Sequence, residues 1–168
     1  MNAAGAIFCF RMAMSLFIAG LIASGITALP LLREVQLLAS WLGLDQATSA
    51  AGHDGLQFWI LTVKFGLEDV YARYPWFPYG TDWLAFGHFA ISLFFIGTLV
   101  RPTESRLTLQ AGIAACLLVI PTALACGAVR GIPFYWRLID CSFGIVGLIP
   151  LAYCLSLLRH MGSKATIR

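Results

Sequence analysis

The sequence predicts an all-α integral membrane protein: a single-domain bundle of four transmembrane helices, with a short amphipathic, interfacial helical cap between helices 1 and 2. The first observation is composition. Of 168 residues, 60% are hydrophobic and 11% are charged, whereas soluble domains carry about 25% charged residues. The second observation is that the chain contains four long apolar runs, and a soluble fold would have too little polar surface to cover them.

The first predicted span covers residues 8–29. A secretory signal peptide is the competing interpretation, but the first charge, Arg11, follows ten uncharged residues. The uncharged run after it also exceeds the roughly 7–15 apolar residues of a signal peptide, so we expect a retained anchor. Pro30 should end this helix, because proline disfavours the helical conformation of the residue before it.

Residues 33–81 are predicted to form the cap. An amphipathic pattern over 33–44 suits a helix lying at the membrane interface, and a polar loop follows it. Helical periodicity returns over 56–73, with two i,i+4 opposite-charge pairs, Lys64–Glu68 and Asp69–Arg73. Because the apolar part of this segment is short and contains Lys64, we do not expect it to span the membrane. An aromatic girdle of the kind found at head-group level follows: Tyr71, Tyr74, Trp76, Phe77 and Tyr79.

The second predicted span covers residues 83–100, a run about 27 Å long, which is enough to cross the hydrocarbon core of a bilayer. Thr81 or Asp82 is predicted to cap its first turn. The run contains a single ionisable residue, His88. Since ionisable groups at membrane depth usually face protein or water, we expect His88 to face the bundle interior.

The third and fourth predicted spans cover residues 107–129 and 138–158. The third contains Pro121, and the fourth contains Asp140 near its start and Pro150 further along. The chain then continues into a basic tail with Arg159, His160, Lys164 and Arg168.

The distribution of charge predicts that both termini are cytoplasmic, in a plasma or inner membrane. In that orientation the inside holds six of the eleven Lys and Arg residues but one of the eight acidic residues. This is a modest positive-inside bias.

Connectivity predicts that several helix ends meet at one opening of the bundle, on the side of the membrane opposite to the termini. We call this opening the mouth. The start of the second span, the end of the third and the start of the fourth lie on that side, together with the cap. Arg137 and Asp140 are spaced i,i+3 and are expected to pair. The candidate pocket residues at this mouth are Asp82, His88, Arg130, Trp136, Arg137 and Asp140.

Three interpretations of these residues remain open. They can be interfacial charges that pair at helix ends, with His88 hydrogen-bonded between helices. They can instead form a pocket for a lipid head group, a quinone-like molecule or another hydrophobic ligand. The third interpretation is redox or proton chemistry, with His88 as a haem b ligand or as a proton relay with Asp82 or Asp140. Haem between helices would need a second histidine, which the same residue of a second chain could supply.

The sequence contains no H-E-x-x-H, G-x-S-x-G or Walker motif, and no inverted repeat of the kind that transporters use. A net charge of +3 without a basic cluster gives no indication of nucleic-acid binding. We therefore expect a small non-enzymatic membrane component, either an accessory subunit or a lipid- or quinone-binding module. The expected partners are the lipid bilayer, other membrane subunits or a homodimer partner. No catalytic residue or metal site is assigned, apart from His88 in the haem alternative.

Overall fold

A computed structural model describes residues 3–165, with side chains over residues 4–160, and this part of the chain is helical with no strands. The basic tail beyond His160 lies outside the described side chains. The six helices are α1 Ala3–Ala28, α2 Leu31–Trp41, α3 Gly55–Arg73, α4 Tyr79–Val100, α5 Arg106–Val129 and α6 Phe134–Ala165. Four of them are long and apolar enough to cross a membrane: Ala4–Ala28 of α1, all of α4 and α5, and Phe134–His160 of α6. The predicted fold class is confirmed.

Three of the spans begin about one turn earlier than predicted. The first begins at Ala4 instead of residue 8, and α4 and α6 each start directly after a proline. Pro78 precedes α4, so Thr81 and Asp82 lie inside its first turn rather than at its cap. The Thr81 hydroxyl donates to the Pro78 carbonyl at 2.7 Å, so the predicted capping role of these residues is wrong. Pro133 precedes α6 in the same way, and its carbonyl accepts from the backbone N–H of Arg137 at 3.1 Å.

The described chain forms two compact units. We call residues 3–21 and 90–165 the bundle unit and residues 22–89 the cap unit, and each is described by itself. The bundle unit contains α5, α6, most of α1 and the second half of α4. All four spans contribute to its buried apolar core, which consists of Phe10, Met14, Ile18, Phe95, Leu109, Leu151, Cys154, Leu155 and Leu157.

The helices of the bundle unit approach closely where glycine replaces a larger side chain. On α6, a Cβ atom at Gly144 would collide with the Cys116 carbonyl of α5 and meet Val119 at 3.1 Å. On α5, a Cβ atom at Gly112 would lie 2.7 Å from the Phe95 ring of α4. Small residues at helix contacts let backbones approach, and this close packing drives helix association in membranes.

A short turn joins α4 to α5. It contains one 3-10 turn, Pro102–Glu104, and an exposed Arg101–Glu104 ion pair at 3.4 Å. The Ser105 hydroxyl donates to the Arg101 carbonyl at 2.6 Å. The same carbonyl accepts from the backbone N–H of Glu104 at 3.3 Å, so both hydrogen bonds hold this turn together.

The cap unit contains α2 and α3, which pack together, with the end of α1 and the first half of α4. The Gln36 amide of α2 donates to the Glu68 carboxylate of α3 at 2.9 Å. Arg73 pairs with Asp69 at 2.8 Å, as predicted. The predicted Lys64–Glu68 pair is absent from the described chain, and the Lys64 ammonium lies 5.2 Å from the Phe65 ring instead.

Exposed aromatic side chains of the cap unit extend the predicted girdle onto α4. The Tyr79 and Trp83 rings are 5.9 Å apart, and the Trp83 and Phe86 rings are 5.6 Å apart, both in edge-to-face geometry. Such side chains suit the boundary between head groups and hydrocarbon.

Reporter fusions test the orientation of the four spans. A fusion after Arg106 should report the cytoplasm, and a fusion at Asp54 in the loop between α2 and α3 should report the opposite side, because α4 crosses the membrane between them. The measurement is the activity of a reporter that is active on one side only, with its reciprocal reporter as the control. Cytoplasmic signals from both fusions would contradict the four-span topology.

Candidate ligand groove between α5 and α6

An open groove of about 520 Å³ runs along α5 and the start of α6 in the bundle unit. This volume lies within the range of small-molecule sites, about 300–1,000 Å³. We call it the α5–α6 groove. Its lining is mostly apolar and consists of Ala115, Leu118, Val119, Thr122, Ala123, Cys126, Gly127, Arg130, Ile132 and Asp140.

One face of α5 forms most of the groove, because its lining positions recur at intervals of three and four residues. From Ala115 to Arg130 the helix rises about 22 Å, which is most of the thickness of a bilayer's hydrocarbon core. The chain reverses after α5 at Gly131, whose φ of +69° is a left-handed conformation that glycine adopts without a steric cost. Arg130 thus lies at the end of the groove where α5 terminates.

Two residues of opposite charge, Arg130 and Asp140, line the groove. Arg130 is exposed, and Asp140 is half-buried on α6, about 9 Å along the helix axis from Phe134. Within the described chain they form no ion pair with each other or with another side chain. The other polar groups of the lining are the Thr122 hydroxyl and the Cys126 thiol.

Arg137 of α6 contacts α5 through a hydrogen bond and through its aliphatic stem, and it does not pair with Asp140. Its guanidinium donates to the Leu124 carbonyl at 3.3 Å and lies 5.3 Å from the Phe134 ring. Its aliphatic stem occupies the space where a Cβ atom of Gly127 would be, at 2.5 Å, and its Nε is buried without a hydrogen-bond partner. The predicted Arg137–Asp140 pair is therefore wrong. Because Gly127 has no side chain, the aliphatic stem of Arg137 can lie against α5, and its guanidinium then bonds to the Leu124 carbonyl instead of to Asp140.

The remaining predicted site residues, Trp136, Asp82 and His88, are not part of the groove lining. Trp136 is half-buried in the first turn of α6. Asp82 is exposed in the first turn of α4, where a carboxylate suits the positive end of the helix dipole. Both Asp82 and His88 belong to the cap unit, so the shared mouth stays a prediction.

His88 makes a local hydrogen bond within α4. Its Nδ1 lies 2.9 Å from the Leu84 carbonyl, and since a carbonyl only accepts, Nδ1 is the donor. When the ring is neutral, the lone pair then belongs to Nε2. Over the described residues, no three His, Cys, Asp or Glu side chains gather in a metal-binding arrangement.

The apolar lining of the groove was not predicted from the sequence. Its signal is a repeat of small or short side chains every four residues, Ala115, Val119, Ala123 and Gly127, which lines up one face of a helix. The same pattern is typical of close helix packing, so the sequence alone does not distinguish a filled contact from an open groove.

Comparison of the chain with protein-family models, with curated proteins and with solved structures found no match.

Proposed function

We propose that the protein is a non-enzymatic membrane component whose α5–α6 groove binds the apolar chain of an anionic amphiphile, with the anionic head group at Arg130. The observation that carries this proposal is a groove that is apolar along about 22 Å and has an exposed arginine at one end. An elongated apolar cavity with a charged group at its end matches the two parts of a lipid.

The size of the groove suits the apolar part of a lipid. Its volume of about 520 Å³ lies within the range of small-molecule sites, about 300–1,000 Å³, and its length of about 22 Å is most of the thickness of the hydrocarbon core. The groove is open, so the rest of the lipid would lie in the surrounding bilayer.

The chemistry of Arg130 suits a phosphate. A guanidinium offers a planar set of N–H donors that matches two phosphate oxygens at once. Within the described chain no carboxylate pairs with Arg130, so its donors are available to a ligand. A long arginine side chain near a helix end also extends readily to the membrane–water boundary.

A variant that fills the deep end of the groove should discriminate between lipids of different chain length. Ala115→Phe should weaken binding of oleoyl phosphatidic acid about tenfold, because losing the burial of two methylenes costs about 1.6 kcal/mol. It should leave the shorter lauroyl lipid nearly unaffected. Arg130→Gln should weaken both lipids. Native mass spectrometry of the detergent-solubilised protein measures the bound lipid.

Ala114→Phe is the matched control, because Ala114 is an exposed alanine of the same helix outside the groove lining. It should leave binding of both lipids unchanged. Equal effects of Ala114→Phe and Ala115→Phe, or unchanged binding in Arg130→Gln, would contradict the proposal.

A further inference from the structure

We propose that Arg11 binds the phosphate of a phospholipid in the leaflet where α1 begins, with a preference for a lipid whose head group is anionic. The site lies on α1 and is independent of the α5–α6 groove and of the function proposed for it. The observation behind it is an unpaired arginine inside an apolar span, on a face of the helix that the protein leaves exposed.

Arg11 lies well inside its span, and two helices give the same depth. On α1 it is seven residues, about 10 Å, from Ala4, where the apolar span begins. Its neighbour Phe10 is fully buried, and the Phe10 carbonyl lies 3.6 Å from the Cys154 thiol of α6. Cys154 is six residues, about 9 Å, from His160, where the span of α6 ends. The backbone of Arg11 is therefore at the depth of the buried core.

The face of α1 that carries Arg11 is exposed and largely apolar. Phe8, Met12 and Leu16 are 65%, 58% and 72% exposed, and Arg11 and Ser15 are exposed between them. These five positions have the i, i+3, i+4, i+7, i+8 spacing of a single helix face. Arg11 is the only charged residue of the helix Ala3–Ala28, so in a membrane this face places one cation among acyl chains.

The bundle unit supplies no anion for Arg11, which forms no ion pair within the described chain. The unit has two acidic residues. Glu104 pairs with Arg101 at 3.4 Å. Asp140 lies 14 residues, about 21 Å, along α6 from Cys154, towards the other side of the membrane. A guanidinium stays charged, and charges at membrane depth are costly and usually paired. The anions nearest to this face are then the phosphates of the lipids that cover it.

The direction of α1 lets Arg11 reach these phosphates. The Cα–Cβ bonds of an α-helix tilt towards its N-terminus, and the N-terminal end of α1 is the end of the span nearer to Arg11. A long arginine stem extends readily from such a position to the membrane surface. Its planar set of N–H donors can bind two phosphate oxygens at once. The acyl chains of the same lipid would lie deeper, along the exposed Met12 and Leu16 side chains.

The experiment compares dioleoyl phosphatidylglycerol with dioleoyl phosphatidylcholine, which have the same acyl chains and a phosphate but differ in net charge. The starting protein is Arg130→Gln, in which the groove lacks its head-group contact. It should retain phosphatidylglycerol about fivefold more than phosphatidylcholine, as expected for one arginine beside an anionic lipid. Adding Arg11→Gln should make the retention of the two lipids nearly equal. Native mass spectrometry of the detergent-solubilised protein measures the bound lipid.

Arg106→Gln is the matched control in the same starting protein. Arg106 is an exposed arginine at the start of α5, so this variant removes an equal charge from a helix end instead of from the interior of a span. It should keep most of the preference. Arg11→Lys keeps the charge but not the planar donors, and it should keep part of the preference.

The thermal unfolding midpoint is a second measurement. Added phosphatidylglycerol should raise the midpoint of the starting protein, because a ligand of the folded state stabilises it, and it should raise the midpoint less once Arg11→Gln is present. The midpoints without lipid identify any variant that fails to fold. Arg11→Leu, which suits a lipid-facing position, would then replace Arg11→Gln.

Three results would overturn the site at Arg11. The first is a starting protein without any preference, which would assign the anionic lipid to the α5–α6 groove. The second is an equal loss in Arg106→Gln and Arg11→Gln, which would mean general attraction to a basic surface. The third is loss of a co-purified membrane protein in Arg11→Gln instead of loss of lipid, which would assign the anion to a partner helix. Binding to the groove is tested separately by Ala115→Phe.

Discussion

Replacing Gly144 by alanine is expected to lower the free energy of unfolding by about 2 kcal/mol. In an open helix the same change stabilises by roughly 0.5–1 kcal/mol, because alanine restricts the unfolded chain more than glycine does. At Gly144 the added methyl group would collide with the Cys116 carbonyl, which is backbone and cannot rotate away. Helices α5 and α6 would have to separate at this contact. The lost packing should make the substitution destabilising, although Gly→Ala in an open helix is stabilising.

Gly97 supplies the control for this substitution. It lies in α4 and has open space where a Cβ atom would be, so Gly97→Ala should leave stability unchanged or raise it slightly. The measurement is denaturant unfolding of the purified protein in mixed micelles. If both variants were equally stable, the close contact between α5 and α6 at Gly144 would be refuted.

At Gly127, the effect of an alanine substitution on the free energy of unfolding is expected to change sign when Arg137 is also replaced. In the wild-type protein, Gly127→Ala should destabilise by about 1–2 kcal/mol, because its methyl group would displace the Arg137 stem and weaken the bond to the Leu124 carbonyl. With Arg137→Ala already present, the space is empty, and Gly127→Ala should stabilise by up to about 1 kcal/mol.

The four proteins of this double-mutant cycle should therefore show a coupling energy of about 2 kcal/mol or more between positions 127 and 137. Thermal or denaturant unfolding measures it, and Arg137→Ala alone should destabilise, because it removes a hydrogen bond made by a charged donor. Additive effects would mean that the Arg137 stem does not occupy the space beside Gly127.

The sequence predicted the spans well because a membrane constrains each of them separately. A helix must supply about 20 apolar residues whatever it packs against, so Tyr79–Val100 and Arg106–Val129 could be recognised one at a time. The starts of α4 and α6 were missed by about one turn, because each helix begins directly after a proline, Pro78 or Pro133, and the sequence analysis assigned the residues that follow these prolines to the turns.

Side-chain partners were predicted less well, because they depend on the neighbouring helix. The i,i+3 spacing shows that Arg137 can reach Asp140 along α6, but Gly127 of α5 gives the arginine stem a better position. Similarly, Gln36 of α2 takes the Glu68 carboxylate that the sequence assigned to Lys64. Arg130 and Asp140 were both predicted as site residues, whereas the apolar groove that contains them needed the relative position of α5 and α6.

The core of the bundle unit has a consequence for how the protein is made. Helices α1 and α6 are in direct contact: the Cys154 thiol lies 3.6 Å from the Phe10 carbonyl, although the two residues are 144 positions apart in the chain. Phe10 and Met14 leave the ribosome long before Leu151 and Cys154 are synthesised, and domains assemble only when their parts are present. During synthesis, the part of the α1 face that packs against α6 is therefore without this partner until α6 has been made. The core is therefore completed only when the segment of α6 from Leu151 to Leu157 has been inserted.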